Sequence, residues 1–231
     1  MPRLLALACL LLVFEALPVA ARTEPASSTS FEPARITESL RAELERMPFE
    51  LDGRPPLAVR CSVVVYANGS LDDARCYDDA EHGWLARRVG RRIARTLIAE
   101  AFLPARIDGV AVRVRADFAI VLFEADGRTH LRYRAHHGFN VVELESARYS
   151  APQRVQGAPL GCDIARGGAM AVARISATGE ASDIEIAGER ITAGCRDRIR
   201  TALRRSRYVP AFLEGEAVAA EYVELLPAGR L

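Results

Sequence analysis

The sequence predicts an α+β protein built from two tandem small domains, and three observations support this prediction. Segments of alternating apolar residues occur in two similar stretches, an apolar stripe with helical spacing follows each of them, and four cysteines lie beyond the first 21 residues. Alternation with a period of two indicates strands, and spacings of three and four indicate helices. Each domain is therefore expected to hold a β-hairpin, a helix packed on one sheet face and a further antiparallel strand.

Residues 1–21 have the pattern of a cleavable signal peptide. Arg3 supplies a positive charge, an apolar stretch follows, and small residues precede a cleavage point after Ala21. Glu15 and Pro18 make the same stretch a poor membrane span. We expect export to the periplasm through this leader, and its retention as a membrane anchor is the alternative.

Residues 22–54 are rich in Ser, Thr, Pro and Glu, a composition typical of a linker or tail. One weakly packed helix is expected inside this segment, around residues 39–46. The first domain is then expected to cover residues 55–150 and the second residues 151–231. A turn signal at Asp126-Gly127 predicts that a hairpin arm extends the first sheet.

The four remaining cysteines are expected to form two disulfides. Asn68-Gly69 is a strong hairpin signal, and a two-residue turn there pairs residues whose numbers add up to 137. Cys61 and Cys76 satisfy that condition, at a hydrogen-bonded pair with Cα atoms about 5.5 Å apart. Cys162 then pairs with Cys195 by elimination. Two such bridges indicate an oxidising compartment.

The chain contains an internal repeat. Residues 102–112 align without a gap on residues 208–218, and the hairpin around Asn68-Gly69 aligns on the one around Thr178-Gly179. The strands after these turns are expected at residues 110–123 and 217–225. The predicted dry hairpin faces contain Cys61, Val63, Val65, Ala74 and Cys76 in the first copy and Ala171, Ala173, Ile175, Ile184 and Ile186 in the second. The predicted helical stripes contain Leu85, Val89, Ile93 and Leu97, and Cys195, Ile199, Ala202 and Leu203.

The second copy resembles a TonB C-terminal domain over about residues 160–226. The resemblance lies in an ordered set of features: a turn at residues 177–180, a return strand at 183–186, a helix ending at Tyr208, Val209-Pro210-Ala211, and Glu214-Gly215-Glu216-Ala217-Val218. The first copy resembles the same family more loosely over about residues 56–124. This resemblance implies a protein that adds an extended segment of a partner to an edge of its sheet.

The edge strand that the resemblance implies consists of Ala217, Val218, Ala219, Ala220, Glu221, Tyr222, Val223 and Glu224. We therefore expect a non-enzymatic periplasmic protein that binds an envelope protein or an extended peptide there. Coverage of that edge by the other copy or by a homodimer partner is the alternative. A membrane-anchored energy transducer for outer-membrane transport is a second alternative, although the chain lacks the long proline-rich spacer of such a protein.

The predicted helix of the first copy carries a cluster of arginines. A net charge of +1 over the whole chain argues against a bulk nucleic-acid binder. The cluster instead suggests an anionic envelope surface as a partner, because several of its members are like-charged neighbours four residues apart. Solvated helix faces are the alternative. The arginines are Arg87, Arg88, Arg91, Arg92 and Arg95.

No familiar catalytic, cofactor or metal motif occurs in the chain, and we expect no cofactor and no metal site. An enzyme with an unfamiliar site between the copies is the rival hypothesis. Such a site would use His136 or His137 together with Glu143.

Overall fold

The computed structural model describes residues 29–51, 56–78, 83–99, 102–136, 148–156, 160, 162–164, 168–188, 190–226 and 229–230. Over these residues the protein is mixed α and β, with three helices and antiparallel strands in several sheets. The expected signal peptide lies outside the described residues.

The first part of the chain, as far as the structure describes it, contains two helices and nine strands. They are β1 (Phe31–Glu32), β2 (Arg35–Ile36), α1 (Glu38–Arg46), β3 (Leu57–Val65), β4 (Leu71–Asp78), α2 (Gly83–Ala99), β5 (Phe102–Leu103), β6 (Ala105–Ile107), β7 (Val110–Val112), β8 (Val114–Ala125) and β9 (Arg128–Arg134).

The second part contains one helix and ten strands among the described residues. They are β10 (Tyr149–Ser150), β11 (Gln153–Val155), β12 (Asp163–Ile164), β13 (Ala169–Ile175), β14 (Ala181–Ala187), α3 (Ala193–Arg205), β15 (Tyr208–Val209), β16 (Ala211–Leu213), β17 (Glu216–Val218), β18 (Ala220–Leu226) and β19 (Gly229–Arg230).

One pattern of strand pairing occurs twice. The ladders β1-β6-β7, β2-β5 and β4-β3-β8 have counterparts, strand by strand, in β10-β16-β17, β11-β15 and β14-β13-β18. The registers also correspond, since Phe31 lies opposite Ile107 and Tyr149 lies opposite Leu213. We call β1 to β8 the first copy and β10 to β18 the second copy. In both copies the helix packs on the hairpin, α2 on β3 and β4 and α3 on β14.

The N-terminal segment is part of the first copy, since β1 and β2 belong to its strand pairing and α1 packs in its core. Thr37 caps α1, since its side-chain oxygen accepts a hydrogen bond from the backbone N–H of Leu40 at 3.2 Å. Leu40 and Leu44 are fully buried in the first core. The helix was therefore predicted within one residue, but the expectation that it packs weakly is wrong. Residues 22–54 are polar on average, but they include a short apolar stripe, and this stripe is enough to bury one helix face.

The first hairpin has a longer turn than the sequence predicted. The N–H of Tyr66 donates to the carbonyl of Ser70, and the N–H of Gly69 donates to the carbonyl of Tyr66. Gly69 has a φ of +83°, so the loop is a three-residue turn that ends in a left-handed residue. Near this loop the register is one residue away from the expected one, and Val65 lies opposite Leu71.

A β-bulge restores the expected register. Asp73 has a φ of +48°, and the register shifts between Ser62 and Val64. Cys61 consequently lies opposite Cys76, as predicted, and the two residues form a disulfide with Cα atoms 4.1 Å apart. That separation is typical of a non-hydrogen-bonded pair, so the predicted hydrogen-bonded pair is wrong. The longer turn makes Tyr66 and Ser70 a hydrogen-bonded pair, so even-numbered residues of β3 bond to β4 and Cys61 does not. The bulge restores only the partner of Cys61.

Two apolar clusters form the cores. The first contains the predicted hairpin face and α2 residues Val89, Ile93 and Leu97, and the second contains the other hairpin face with Cys195, Ile199 and Leu203 of α3. The side chain of Leu85 lies outside the described part. Cys162 and Cys195 form the second disulfide, with Cα atoms 5.7 Å apart. The two cysteine pairs indicate an oxidising, non-cytoplasmic compartment.

Each long strand predicted after the repeated turns is divided into two. Asp108 and Gly109 both have positive φ, at +51° and +75°, and form a tight turn that pairs β6 with β7. The chain then leaves that small sheet at Arg113 and enters β8. Glu214 and Gly215 repeat this arrangement in the second copy, so residues 217–225 also belong to two strands. The predicted hairpin arm is present, because β8 pairs with β9 across Asp126-Gly127.

We predict that Gly69→Ala destabilises the protein more than Gly109→Ala. Both glycines have positive φ, and an alanine costs about 1 to 2 kcal/mol there. A Cβ at Gly69 would in addition lie 2.3 Å from the carbonyl oxygen of Phe102, whereas a Cβ at Gly109 would meet no atom within 4 Å. Urea unfolding of both variants measures the difference. Equal losses of unfolding free energy would contradict the close approach at Gly69.

Candidate functional site

The residues of the predicted binding edge belong to two different strands. Ala217 and Val218 lie in β17, which pairs with β16, and Ala219 links the two strands. Ala220, Glu221, Tyr222, Val223 and Glu224 lie in β18, which pairs with β13. Three of these side chains are buried, those of Tyr222, Val223 and Glu224. A partner at this edge would therefore meet chiefly the backbone of β18.

In the described residues, β18 pairs on one side only. Its sheet has the order β14-β13-β18, so β18 is an edge strand. The counterpart in the first copy, β8, has partners on both sides. It pairs with β3 on one side, and on the other side with β9 over residues 119–125 and with β11 at Val114 and Arg115.

The hydrogen bonds of β8 show which backbone groups point toward this outer edge. The N–H of Gln156 donates to the carbonyl of Arg113 at 2.8 Å, so odd-numbered residues of β8 bond outward to β11. In an antiparallel ladder the bonding direction alternates along the strand. Because Val114 and Ala220 hold equivalent registers against β3 and β13, the odd-numbered backbone groups of β18 point toward its outer edge. They include those of Ala219, Val223 and Leu225.

Two side chains of β18, those of Tyr222 and Glu224, belong to a buried ionic network. The guanidinium of Arg154 donates to both carboxylate oxygens of Glu224, at 2.8 and 2.7 Å. The hydroxyl of Tyr222 donates to the same carboxylate at 2.7 Å, and the rings of Tyr222 and Tyr208 lie 5.2 Å apart. Arg154 and Glu224 are 4% and 5% exposed, so the pair is almost completely removed from water.

The equivalent positions of the first copy are all apolar. Arg154 and Tyr208 face each other as Ile36 and Phe102 do, and Tyr222 and Glu224 hold the places of Ala116 and Phe118. The four first-copy residues lie in the first core. On the neighbouring strand β13, Ala171 and Ala173 lie opposite Glu224 and Tyr222, where the first copy has the larger Cys61 and Val63.

This network lies where the two copies join. β11 of the second copy extends the main sheet by pairing with β8 of the first. The Nε of Arg115 on β8 lies 3.7 Å from a carboxylate oxygen of Glu224. Arg115 also donates to Ser62 and Asp73, each at 2.8 Å. The junction therefore combines backbone pairing with charges contributed by both copies.

A side-chain amide completes the junction. The Oε1 of Gln153 accepts from the N–H of Ala34 at 2.7 Å, and its Nε2 donates to the carbonyl of Ala34 at 2.9 Å. Both bonds are buried, so they fix the N-terminal segment against β11. Gln153, Arg154 and Tyr208 were not predicted as site residues, and Tyr222 and Glu224 were expected on the binding edge and not in a buried network. Extending the gap-free alignment beyond Val218 would have placed Glu224 opposite Phe118, and that exchange was the available signal.

Burial keeps the tyrosines of this region neutral. Burial raises the pKa of Tyr222 well above 10, and the neighbouring Glu224 carboxylate raises it further. Burial also raises the pKa of Tyr208. For Arg154 burial is the largest single influence and lowers the pKa, but Glu224 and Tyr222 together raise the pKa above its ordinary value. Burial, with a smaller contribution from Glu221, raises the pKa of Tyr149 to about 12.

The other predicted residues lie away from this junction or outside the described part. All five arginines of the α2 cluster are exposed. His136 is buried, with its ring 5.6 Å from that of Tyr149. His137 and Glu143, the other members of the rival enzyme hypothesis, lie outside the described residues.

We predict that Glu224→Gln lowers the free energy of unfolding by about 3 to 5 kcal/mol, because it leaves the Arg154 charge buried without a counter-ion. Replacing all four network residues by their first-copy counterparts should cost much less, since apolar packing often replaces a buried ion pair without loss. That variant is Arg154→Ile, Tyr208→Phe, Tyr222→Ala and Glu224→Phe. Guanidinium unfolding of both variants checks this order, and a larger loss in the fourfold variant would refute it.

We predict that stability falls as the pH rises above about 10. The unfolded chain releases a tyrosine proton near pH 10. The folded chain holds the Tyr149 proton to about pH 12, and burial also raises the pKa of Tyr222 well above 10. The unfolded state therefore binds fewer protons in this window, and the free energy of unfolding decreases with pH. Urea midpoints measured from pH 8 upward test this, and Tyr149→Phe should make the decline shallower.

Comparison with known proteins gives no match for this chain. No protein-family model, no curated protein and no solved structure matches it. Among the described residues, no group of three or more His, Cys, Asp or Glu side chains could hold a metal ion. No helix in the described part is long and apolar enough to cross a membrane.

Proposed function

We propose that this chain is a non-enzymatic periplasmic binding protein that takes an extended segment of an envelope protein onto the outer edge of β18. The observation that carries the proposal is the contrast between β8 and β18. The two strands hold equivalent positions, yet β8 has strands on its outer edge whereas β18 has none among the described residues. An unpaired strand edge is a template for another strand.

The first copy supplies an example of the interaction. The outer edge of β8 accepts two separate segments, β9 and β11, and both run antiparallel to it. The part of β8 that binds β11 corresponds to the beginning of β18, at Ala220 and Glu221. Main-chain hydrogen bonds supply the affinity in such strand addition, and alternate side chains supply the specificity.

The face beside this edge suits an extended ligand. Met170, Val172 and Leu225 are partly exposed on the outer side of the sheet, around the buried Val223. Exposed Arg174 and Glu221 face each other on the next pair of the same surface. A strand added to β18 would place every second side chain over these apolar and charged positions.

The tandem arrangement and the compartment form part of the same proposal. The order of hairpin, helix and strand in each copy supports two TonB-C-like domains in tandem, with the second as the binding domain. The two disulfides support export, and an N-terminal leader of signal-peptide type would direct the chain to the periplasm. Strand addition requires no catalytic group, so the function we propose is binding alone.

We predict that photoreactive residues at Ala219 and Leu225, placed in the full chain in its native envelope, crosslink to one extended partner segment. Because the ladder would be antiparallel, the Leu225 probe should attach about six residues nearer the partner's N-terminus than the Ala219 probe does. Mass spectrometry of the crosslinked peptides measures this spacing. Adducts at scattered or unrelated residues would refute strand addition.

A backbone variant provides the matched control for the edge. Leu225→Pro removes an N–H that points outward, and an edge strand tolerates this change when that N–H faces solvent. Leu225→Ala shortens the same side chain but keeps the N–H. With the probe at Ala219, the adduct should disappear in the proline variant and persist in the alanine variant. Equal yields from both variants would show that backbone pairing is not the mode of binding.

A further inference from the structure

The outward face of α2 carries five exposed arginines. They lie on two neighbouring rows of the helix, one with Arg87, Arg91 and Arg95 and the other with Arg88 and Arg92. At 1.5 Å per residue the longer row covers about 12 Å. No carboxylate of the described residues lies within 4.0 Å of any of these guanidinium groups.

The contacts that these arginines make in the described part of the chain include no carboxylate. Arg92 donates to the backbone carbonyl of Pro48 at 3.2 Å and lies over the ring of Phe49. Arg95 donates to the carbonyl of Arg91 at 3.3 Å. Like charges four residues apart destabilise a helix. The arrangement therefore opposes helix formation, and it requires an explanation other than stability.

The second copy shows that the fold does not require these charges. Val89, Ile93 and Leu97 of α2 correspond to Cys195, Ile199 and Leu203 of α3, which bury the same helix face. With this correspondence, the five arginine positions of α2 are occupied in α3 by Ala193, Gly194, Asp197, Arg198 and Thr201. That set has no net charge, whereas the α2 set carries five positive charges. α3 packs on its hairpin with no net charge at these five positions, although Arg204 and Arg205 are exposed elsewhere on it, so packing does not require charge at the five α2 positions.

We propose that the arginine face of α2 docks on an anionic membrane surface by binding the phosphates of lipid headgroups. Guanidinium groups bind phosphate with two parallel hydrogen bonds, and a row of them on one helix face matches a plane of headgroups. The disulfides indicate a non-cytoplasmic compartment, which favours a lipid surface over nucleic acid as the polyanion. This proposal is independent of strand addition at β18, because it concerns a different helix of a different copy.

The test uses the full mature chain and vesicles of two compositions. One is pure phosphatidylcholine, and the other is an equimolar mixture of phosphatidylcholine and phosphatidylglycerol. Cosedimentation should show binding to the second only, and the binding should weaken as salt is added. Arg87→Gln, Arg91→Gln and Arg95→Gln in one variant should lower the partition coefficient by about two orders of magnitude, since each arginine near an anionic surface contributes about fivefold.

A matched variant on α3 controls for net charge. Arg198→Gln, Arg204→Gln and Arg205→Gln remove the same number of positive charges from exposed positions of the other helix. This variant should bind the anionic vesicles within about threefold of the parent chain. Equal losses in both variants would show that net charge alone is responsible and would overturn the proposal. Binding to heparin in solution without binding to the vesicles would also overturn the proposal.

Stability measurements separate loss of binding from loss of folding. Removing the three α2 arginines abolishes two repulsive pairs, so the urea midpoint of that variant should equal or exceed that of the parent chain. Lower binding together with an undiminished midpoint supports the docking surface. A lower midpoint would show that these arginines stabilise the fold and would overturn the proposal. The Leu225 photo-adduct should form equally in this variant, so the two proposals can fail independently.

Discussion

The pairing of β8 with β11 is the interaction on which the arrangement of the molecule depends. It joins the first and second copies through backbone hydrogen bonds, and it places Arg154 beside Arg115 over the Glu224 carboxylate. It also explains why the two copies differ at their last strands. Because of this pairing β8 has strands on both sides, whereas β18 pairs on one side only among the described residues.

The ionic network at the junction favours one arrangement of the copies more than it favours stability. A buried Arg–Glu pair loses its hydration, and apolar residues of similar volume often stabilise a core equally well or better. The first copy shows the apolar solution, with Ile36, Phe102, Ala116 and Phe118 at the same positions. The charged solution in the second copy adds a requirement, because its partners include Arg115 from the first copy. Polar groups that are satisfied only in one geometry disfavour other ways of docking the copies.

Local patterns of the sequence predicted the hairpins, the helices and both cysteine pairs, because each depends on turn residues or on a regular apolar spacing. Three features depended on information that such patterns do not carry. The strands at residues 31–36 are too short to show a period, although Gln153 fixes them through Ala34. The longer turn ending at Gly69 and the bulge at Asp73 each rest on one residue with a positive φ, and together they changed the kind of pair formed by Cys61 and Cys76 without changing the partner. Glu224 resembled a solvent-facing residue, because the arginine that neutralises it lies 70 residues away in the chain.

The second copy has four polar or charged network residues at positions where the first copy has four apolar ones. This exchange also constrains how the two copies diverged. Neither charge is tolerable alone, because a single arginine or glutamate among Ile, Phe and Ala side chains would be buried without a counter-ion. The two substitutions are therefore epistatic, and each is harmful or neutral according to whether the other has already occurred. A lineage passing between the two states needs an intermediate in which water or a polar neighbour shields the first charge.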